Sequence, residues 1–184
     1  QLSVTDWIPE AIVVPEPGQG ESAAAAPLVA PGKLYLYDRG FNGFQLISAH
    51  FQPDQTPLAR FVVRYRQAGS NAPDLDEVES LPLTDADRAA GVVSDRTGRF
   101  ASTSPQAPPM RLRETIVETE VRGQPQRLRL ISNLDADVSA ATVGLLYRQR
   151  WQIELFFRWL KCFGNFNHLL STTRQGVQGQ FYVV

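Results

Sequence analysis

Apolar and polar positions along the chain change period several times, and each change marks an element. Gln1-Leu2-Ser3-Val4-Thr5-Asp6-Trp7 alternates with a period of two, as a strand with one covered face does. Residues 15–32 are rich in Pro, Gly and Ala and predict a loop or linker. Lys33-Leu34-Tyr35-Leu36-Tyr37 is a short aromatic-rich run suited to a central strand, and it stops at Asp38-Arg39-Gly40. Phe41, Phe44, Ile47 and Phe51 then recur at helical spacing, and Ala59 to Arg66 predicts the next strand. From Gln67 to Pro109 periodicity fades into Pro, Ser, Asp and Gly, which predicts an insertion with modest structure of its own. Arg111–Arg122 and Gln126–Ser132 alternate again around Gly123-Gln124-Pro125, giving a hairpin with arginine-rich outer faces.

The last clear element is a helix capped by Asp137 or Ser139, running to about Phe163 with Gly164 as its stop. At about 100° per residue, Tyr147, Arg150, Glu154, Arg158 and Lys161 fall on one narrow stripe. Most other directions are apolar: Leu145, Leu146, Trp151, Ile153, Leu155, Phe156, Phe157, Trp159 and Leu160. A helix apolar on most sides is expected to be buried. One carboxylate among basic groups there must be paired, hydrogen-bonded or bound to a metal.

Composition narrows the picture only in places. A chain of 184 residues has room for one domain, or one domain carrying an insertion. The net charge of −1 conceals an asymmetry, because residues 1–110 carry −5 and residues 111–184 carry +4. The basic C-terminal portion suits a polyanion, although solvated arginines would give the same count. The single Cys162 excludes an intrachain disulfide, points to a reducing cytoplasmic compartment, and has apolar neighbours that suggest a packed thiol. His50 and His168 have no second ligand at zinc-binding spacing. No apolar run reaches membrane-spanning length, so no membrane partner is expected, and no secretory signal is seen. The start at Gln1, straight into a strand, suggests a fragment of something longer.

Two constellations carry chemistry. Asp38 directly follows a strand and precedes Gly and a helix, which is where open α/β sheets bind ligands; it would equally serve as a cap. The Tyr147/Arg150/Glu154/Lys161 stripe is either a reactive face or an ion-paired helix face, with Arg150 and Glu154 four residues apart.

Tyr-x2-Arg-x3-Glu-x6-Lys, preceded by Asn133-Leu134 and a Ser-capped helix, resembles the YREK motif of the insertion-sequence-four family of DDE transposases. Leu34-Tyr35-Leu36-Tyr37-Asp38-Arg39-Gly40-Phe41 resembles the same family's second catalytic aspartate. The order of elements matches as well. The resemblance implies an α/β, ribonuclease-H-like mixed sheet with flanking helices, interrupted by a mostly loop and β insertion. Residues 1–66 would be its N-terminal part, 67–133 the insertion, and 134–184 the helical part carrying the motif. It implies metal-dependent DNA strand cleavage and strand transfer on two Mg²⁺ or Mn²⁺ ions, with Asp38 and Glu154 as catalytic metal ligands. Carboxylates suit such hard cations, and a pair of ions would activate the attacking oxygen and stabilise the leaving one. Arg150, Lys161 and Arg158 would grip phosphates, and Tyr147 would donate to a phosphate or stack on a base. Arg60, Arg64, Arg66 and the hairpin arginines would follow the DNA backbone. Double-stranded DNA is the implied partner, a homodimer the implied synaptic assembly, and a bacterial cytoplasm the implied compartment.

The chain departs from the family in three ways. The first catalytic aspartate is not recognisable: Asp6 lies only 32 residues before Asp38, so the expectation is an aspartate upstream of Gln1, with Asp6 as the alternative. The stretch 15–32 does not read as the helix the family places there. Residues 67–133 hold Phe100 as their one aromatic, which leaves a base-stacking step in a DNA hairpin unsupported. Two other readings stay open. One is an inactive or repurposed DNA-binding domain. The other is a structural domain in which Glu154 salt-bridges Arg150 or Arg158 far from Asp38.

Overall fold

The computed structural model describes residues 1–3, 5, 10, 11, 13, 15–66, 74–100, 110–121 and 123–163. Its centre is a six-stranded sheet in the order β1-β2-β6-β5-β4-β3. The strands are β1 (Leu34–Tyr37), β2 (Arg60–Tyr65), β3 (Leu75–Ser80), β4 (Val92–Phe100), β5 (Met110–Val121) and β6 (Gln124–Ser132). Only β1 and β2 pair in parallel; every other neighbour is antiparallel. The helices are α1 (Glu21–Ala25), α2 (Phe44–Ser48), α3 (Asp85–Ala89), α4 (Ala140–Gln149) and α5 (Trp151–Phe163). The fold is therefore mixed α/β, with a mostly antiparallel sheet and flanking helices.

Alternation in β1 and β2 sorts side chains to two apolar layers. Tyr35, Phe61, Val63 and Tyr65 join Ile47, Phe100, Met110 and Ile131 on one face, against α2. Leu36 and Val62 face the other way, into a layer with Val92, Val117, Leu130, Ala140, Val143 and Tyr147 that seats α4. The residue after Tyr37 lies on α4's side by the same alternation. Asp38 thus enters the same layer as Tyr147.

Several sequence expectations need correcting. The run at 33–37 is at one end of the sheet among the described residues, not at its centre. Residues 15–32 hold α1 and a 3₁₀ turn at Ala26–Leu28. The helical spacing at Phe41–Phe51 yields a 3₁₀ turn at Arg39–Phe41 and the short α2. The loop-like stretch 67–109 contains β3, α3 and β4, because β3 exposes five of its six residues and so lacks the apolar alternation of a half-buried strand. The expected single helix from Ser139 is two. Arg150 keeps helical dihedrals, but Arg150 N–H donates to Tyr147 C=O and Ile153 N–H to Arg150 C=O, a tightened 3₁₀ turn between α4 and α5. The apolar sides of this helix pair are not buried throughout: Leu145, Trp151, Phe157 and Trp159 are about half exposed. Cys162 is exposed rather than packed.

The hairpin arginines are also redistributed. Arg113 and Arg129 are buried, because β5 and β6 are inner strands of the sheet with both faces covered. Arg113 pairs with Asp95, and Arg129 with Glu114, which also receives Arg96. Phe100 is buried against Tyr65 and belongs to the core. Gln1–Trp7 as a strand, Asp6 as an acid, Gly164 as a helix stop and His168 fall on residues outside those described, apart from Gln1–Ser3 and Thr5. No described helix is long and apolar enough to cross a membrane.

Candidate active site

The end of β1 and the junction of α4 with α5 meet on one face of the sheet. Asp38 accepts a hydrogen bond from Arg39 N–H at 2.8 Å, so the capping contact allowed by the sequence is present. Its carboxylate does more than cap. Tyr147 O–H donates to Asp38 Oδ1 at 3.3 Å across a sequence separation of 109 residues. Arg150 Nη1 lies 3.6 Å from Asp38 Oδ2, and Arg150 Nη2 donates to Glu154 Oε1 at 2.7 Å. One guanidinium therefore bridges the two acids, whose nearest oxygens lie within about 9 Å of each other, given the width of the planar fork.

Local structure explains this convergence. Ser139 caps α4 by accepting Thr142 N–H at 3.1 Å. Ala140, Val143 and Tyr147, spaced three and four apart, bury against the sheet and fix the helix rotation. Arg150 follows three residues after Tyr147 and stacks its guanidinium 5.7 Å from the tyrosine ring centre. Glu154 lies one turn further on. Arg158 and Lys161 are exposed further along α5. The register that sets Tyr37 beside Val63 puts Arg64 level with Asp38, and Arg64 is close enough to bear on Tyr147 electrostatically.

The electrostatics keep Tyr147 protonated and Arg150 charged. Burial pushes the Tyr147 hydroxyl up to about 12, outweighing the opposing pull of Arg150. Burial works against the Arg150 charge, but the hydrogen bond to Glu154 and the proximity of Tyr147 and Asp38 hold its pKa above the ordinary value. At neutral pH the site therefore holds a phenol donor and a guanidinium.

Two residues anchor the helix, Asp87, which the sequence did not single out, and Arg113, expected on an outer face of the hairpin. Asp87 Oδ1 accepts Ala141 N–H at 2.8 Å in the first turn of α4, while its other oxygen closes a capping box with Thr84. Arg113 Nη1 donates to the carbonyls of Asp135 and Val138, at 2.7 Å each, just before α4. The capping box was readable as Thr84-x-x-Asp87, but its second task as an anchor depends on tertiary packing.

The chain matches the Transposase DDE domain family over residues 8–184. It belongs to that family. Two curated transposases share shorter stretches with this DDE domain. A probable transposase for insertion sequence element IS5377 of Geobacillus stearothermophilus is 40% identical over 55 residues, 30% of this chain and 14% of that protein. A putative transposase, y4zB, of Sinorhizobium fredii is 33% identical over 91 residues, 50% of this chain and 24% of that protein. The chain therefore spans less than a quarter of the length of these relatives in the matched stretches.

Divalent cations are the group this family implies, and the donor chemistry fits them. Asp38 and Glu154 supply hard carboxylate oxygens, are 49% and 40% exposed, and already converge on one cation, the Arg150 guanidinium. Among the described residues no cluster of three His, Cys, Asp or Glu side chains forms around them.

Proposed function

We propose that this DDE domain is part of the catalytic domain of a DNA transposase of the insertion-sequence-four, YREK type, acting in metal-dependent DNA strand cleavage and strand transfer. The observation that supports this most is the meeting of Asp38, Tyr147, Arg150 and Glu154 from the two ends of the described chain. The order β1, α2, β2 with β1 and β2 parallel, followed after a β-rich stretch by the helix carrying Glu154, is compatible with a ribonuclease-H-like core. On this reading residues 1–66 and 134–184 belong to the core and 67–133 to an insertion that extends the same sheet.

Asp38 and Glu154 would hold the Mg²⁺ or Mn²⁺ ions. When bound, these supply activation of the attacking hydroxyl and stabilisation of the leaving oxygen. Arg150 binds a phosphate bidentately through its planar fork, and Arg158 and Lys161 extend that grip along α5. Tyr147, held protonated, donates its hydroxyl hydrogen to an anionic oxygen in place of Asp38 Oδ1. A third acid would come from Asp6 or from a residue outside this chain. Double-stranded DNA is the partner on this account, with a homodimer as the synaptic assembly in a bacterial cytoplasm.

A non-catalytic DNA-binding relic is the second reading, and the 2.7 Å Arg150–Glu154 contact is the observation in its favour. Cleavage of transposon-end DNA by the protein that contains this domain separates the two. Asp38→Asn and Glu154→Gln each abolish metal-dependent cleavage on the catalytic reading. Unchanged cleavage in either variant overturns it.

A further inference from the structure

Arg150 sits where a cation would, and its own bonding there is incomplete. The side chain is 17% exposed, between acids that are 49% and 40% exposed. Of its donors, Nη2 is well bonded to Glu154 at 2.7 Å, whereas Nη1 is 3.6 Å from Asp38, beyond hydrogen-bond distance. Nε is buried with no hydrogen-bond acceptor among the described residues. An arginine presents five N–H donors, and leaving one buried and unmet makes the resting geometry easier to give up. The Tyr147 ring under the guanidinium offers it a surface to slide along.

We infer that Arg150 is a resident counter-ion that couples cation loading to phosphate binding at this site. The inference rests on reading Asp38 and Glu154 as cation ligands. A divalent cation and the guanidinium neutralise the same two carboxylates, and like charges at such separations repel, so each displaces the other. The acids are exposed enough for a hydrated ion to reach them. Once released, the fork is free to take two oxygens of a phosphate. A phosphate that draws Arg150 away leaves both carboxylates uncompensated and ready for the cation. Linkage makes the effect reciprocal: cation strengthens phosphate binding by the factor with which phosphate strengthens cation binding.

The test is Mn²⁺ binding to the 184-residue chain, followed by the electron paramagnetic resonance signal of the free ion. Arg150→Gln removes the competitor, and the Mn²⁺ dissociation constant is expected to fall about fivefold or more. Arg150→Lys keeps a charge without the fork and is expected to fall between the two. Arg148→Gln, which removes the same charge from an exposed position at the end of α4, is expected to change binding by less than about twofold. A short duplex is expected to tighten Mn²⁺ binding in the wild type and to do so less in Arg150→Gln. Mn²⁺ binding that Asp38→Asn abolishes but Arg150→Gln leaves unchanged or weakens would overturn the counter-ion role and spare the cation site. Absence of Mn²⁺ binding in both wild type and Arg150→Gln would overturn both.

Discussion

Replacing Asp95 by alanine removes the counter-charge from Arg113 beneath the start of α4. In the native fold Asp95 accepts Arg113 Nε at 2.9 Å, Arg113 Nη2 at 2.6 Å and Thr115 Oγ1 at 2.9 Å. Both charged side chains are only 2% exposed, so solvent does not replace what is lost. Arg113 keeps the Asp135 and Val138 carbonyls, and the anion left near it is Asp87, whose oxygens are already bonded to Thr84 and Ala141. Breaking a buried pair from one side costs about 3–5 kcal/mol, a large part of the 5–15 kcal/mol typical of a whole domain. For a domain of this size that is a fall of roughly 6–20 °C in Tm. Urea unfolding followed by far-ultraviolet circular dichroism measures it. Adding Arg113→Met to Asp95→Ala removes the stranded charge and is expected to recover most of the loss, because an apolar replacement of a whole buried pair is often near neutral. A single-variant cost below about 1 kcal/mol, or a double variant no better than the single, would show that the stranded Arg113 charge is not what destabilises the fold.

Two further predictions concern other parts of the fold. His50 is fully buried among Tyr35, Tyr37 and Phe61, and burial lowers its pKa despite the backbone hydrogen bonds that oppose the shift. Near pH 6.5 and below, the unfolded chain takes up a proton that the folded chain holds off, so stability is full above that pH and falls as pH drops through it. Thermal scans from about pH 7.5 to 5 check this against His50→Gln, and an equal acid loss in both proteins contradicts it. Gly91 has φ +86°, and a Cβ there would come within 2.4 Å of the Glu118 carbonyl oxygen. Gly91→Ala is expected to cost about 2 kcal/mol or more in urea unfolding, since a left-handed alanine is strained even without that clash, and a cost below about 0.5 kcal/mol contradicts it.

What could be read from the sequence was local. The runs at 34–37 and 60–65, the turn at Gly123 and the Ser139 cap depend on neighbours in the chain, and the structure has each of them. Strand-end position and helical spacing singled out Asp38 and the Glu154 stripe separately, and that the two converge was implied by the family resemblance alone. Arg113 and Arg129 went the other way from their outward reading, because their partners, Asp95 and Glu114, come from other strands and alternation alone does not reveal a covered second face. β3 was hidden because a charged edge strand lacks an apolar period. The exposed Trp151, Phe157 and Trp159 show the converse, an apolar pattern that the described residues do not cover. The Arg150–Glu154 half of the bridge is the i,i+4 pair that helical spacing offers, whereas its contact with Asp38 is tertiary and no residue type in the segment announces it.

On the reading proposed above, Asp38 and Glu154, far apart in sequence, share a cation site. Iron-directed backbone cleavage tests it most directly: Fe²⁺ replaces the native ion, and ascorbate with peroxide generates radicals that cut the chain beside the bound metal. Two cuts are expected, one near Asp38 and one near Glu154, both suppressed by excess Mg²⁺ and both lost in Asp38→Asn. Cleavage confined to other acidic stretches, such as 74–79, or a cut at one carboxylate that survives loss of the other, would contradict a shared site.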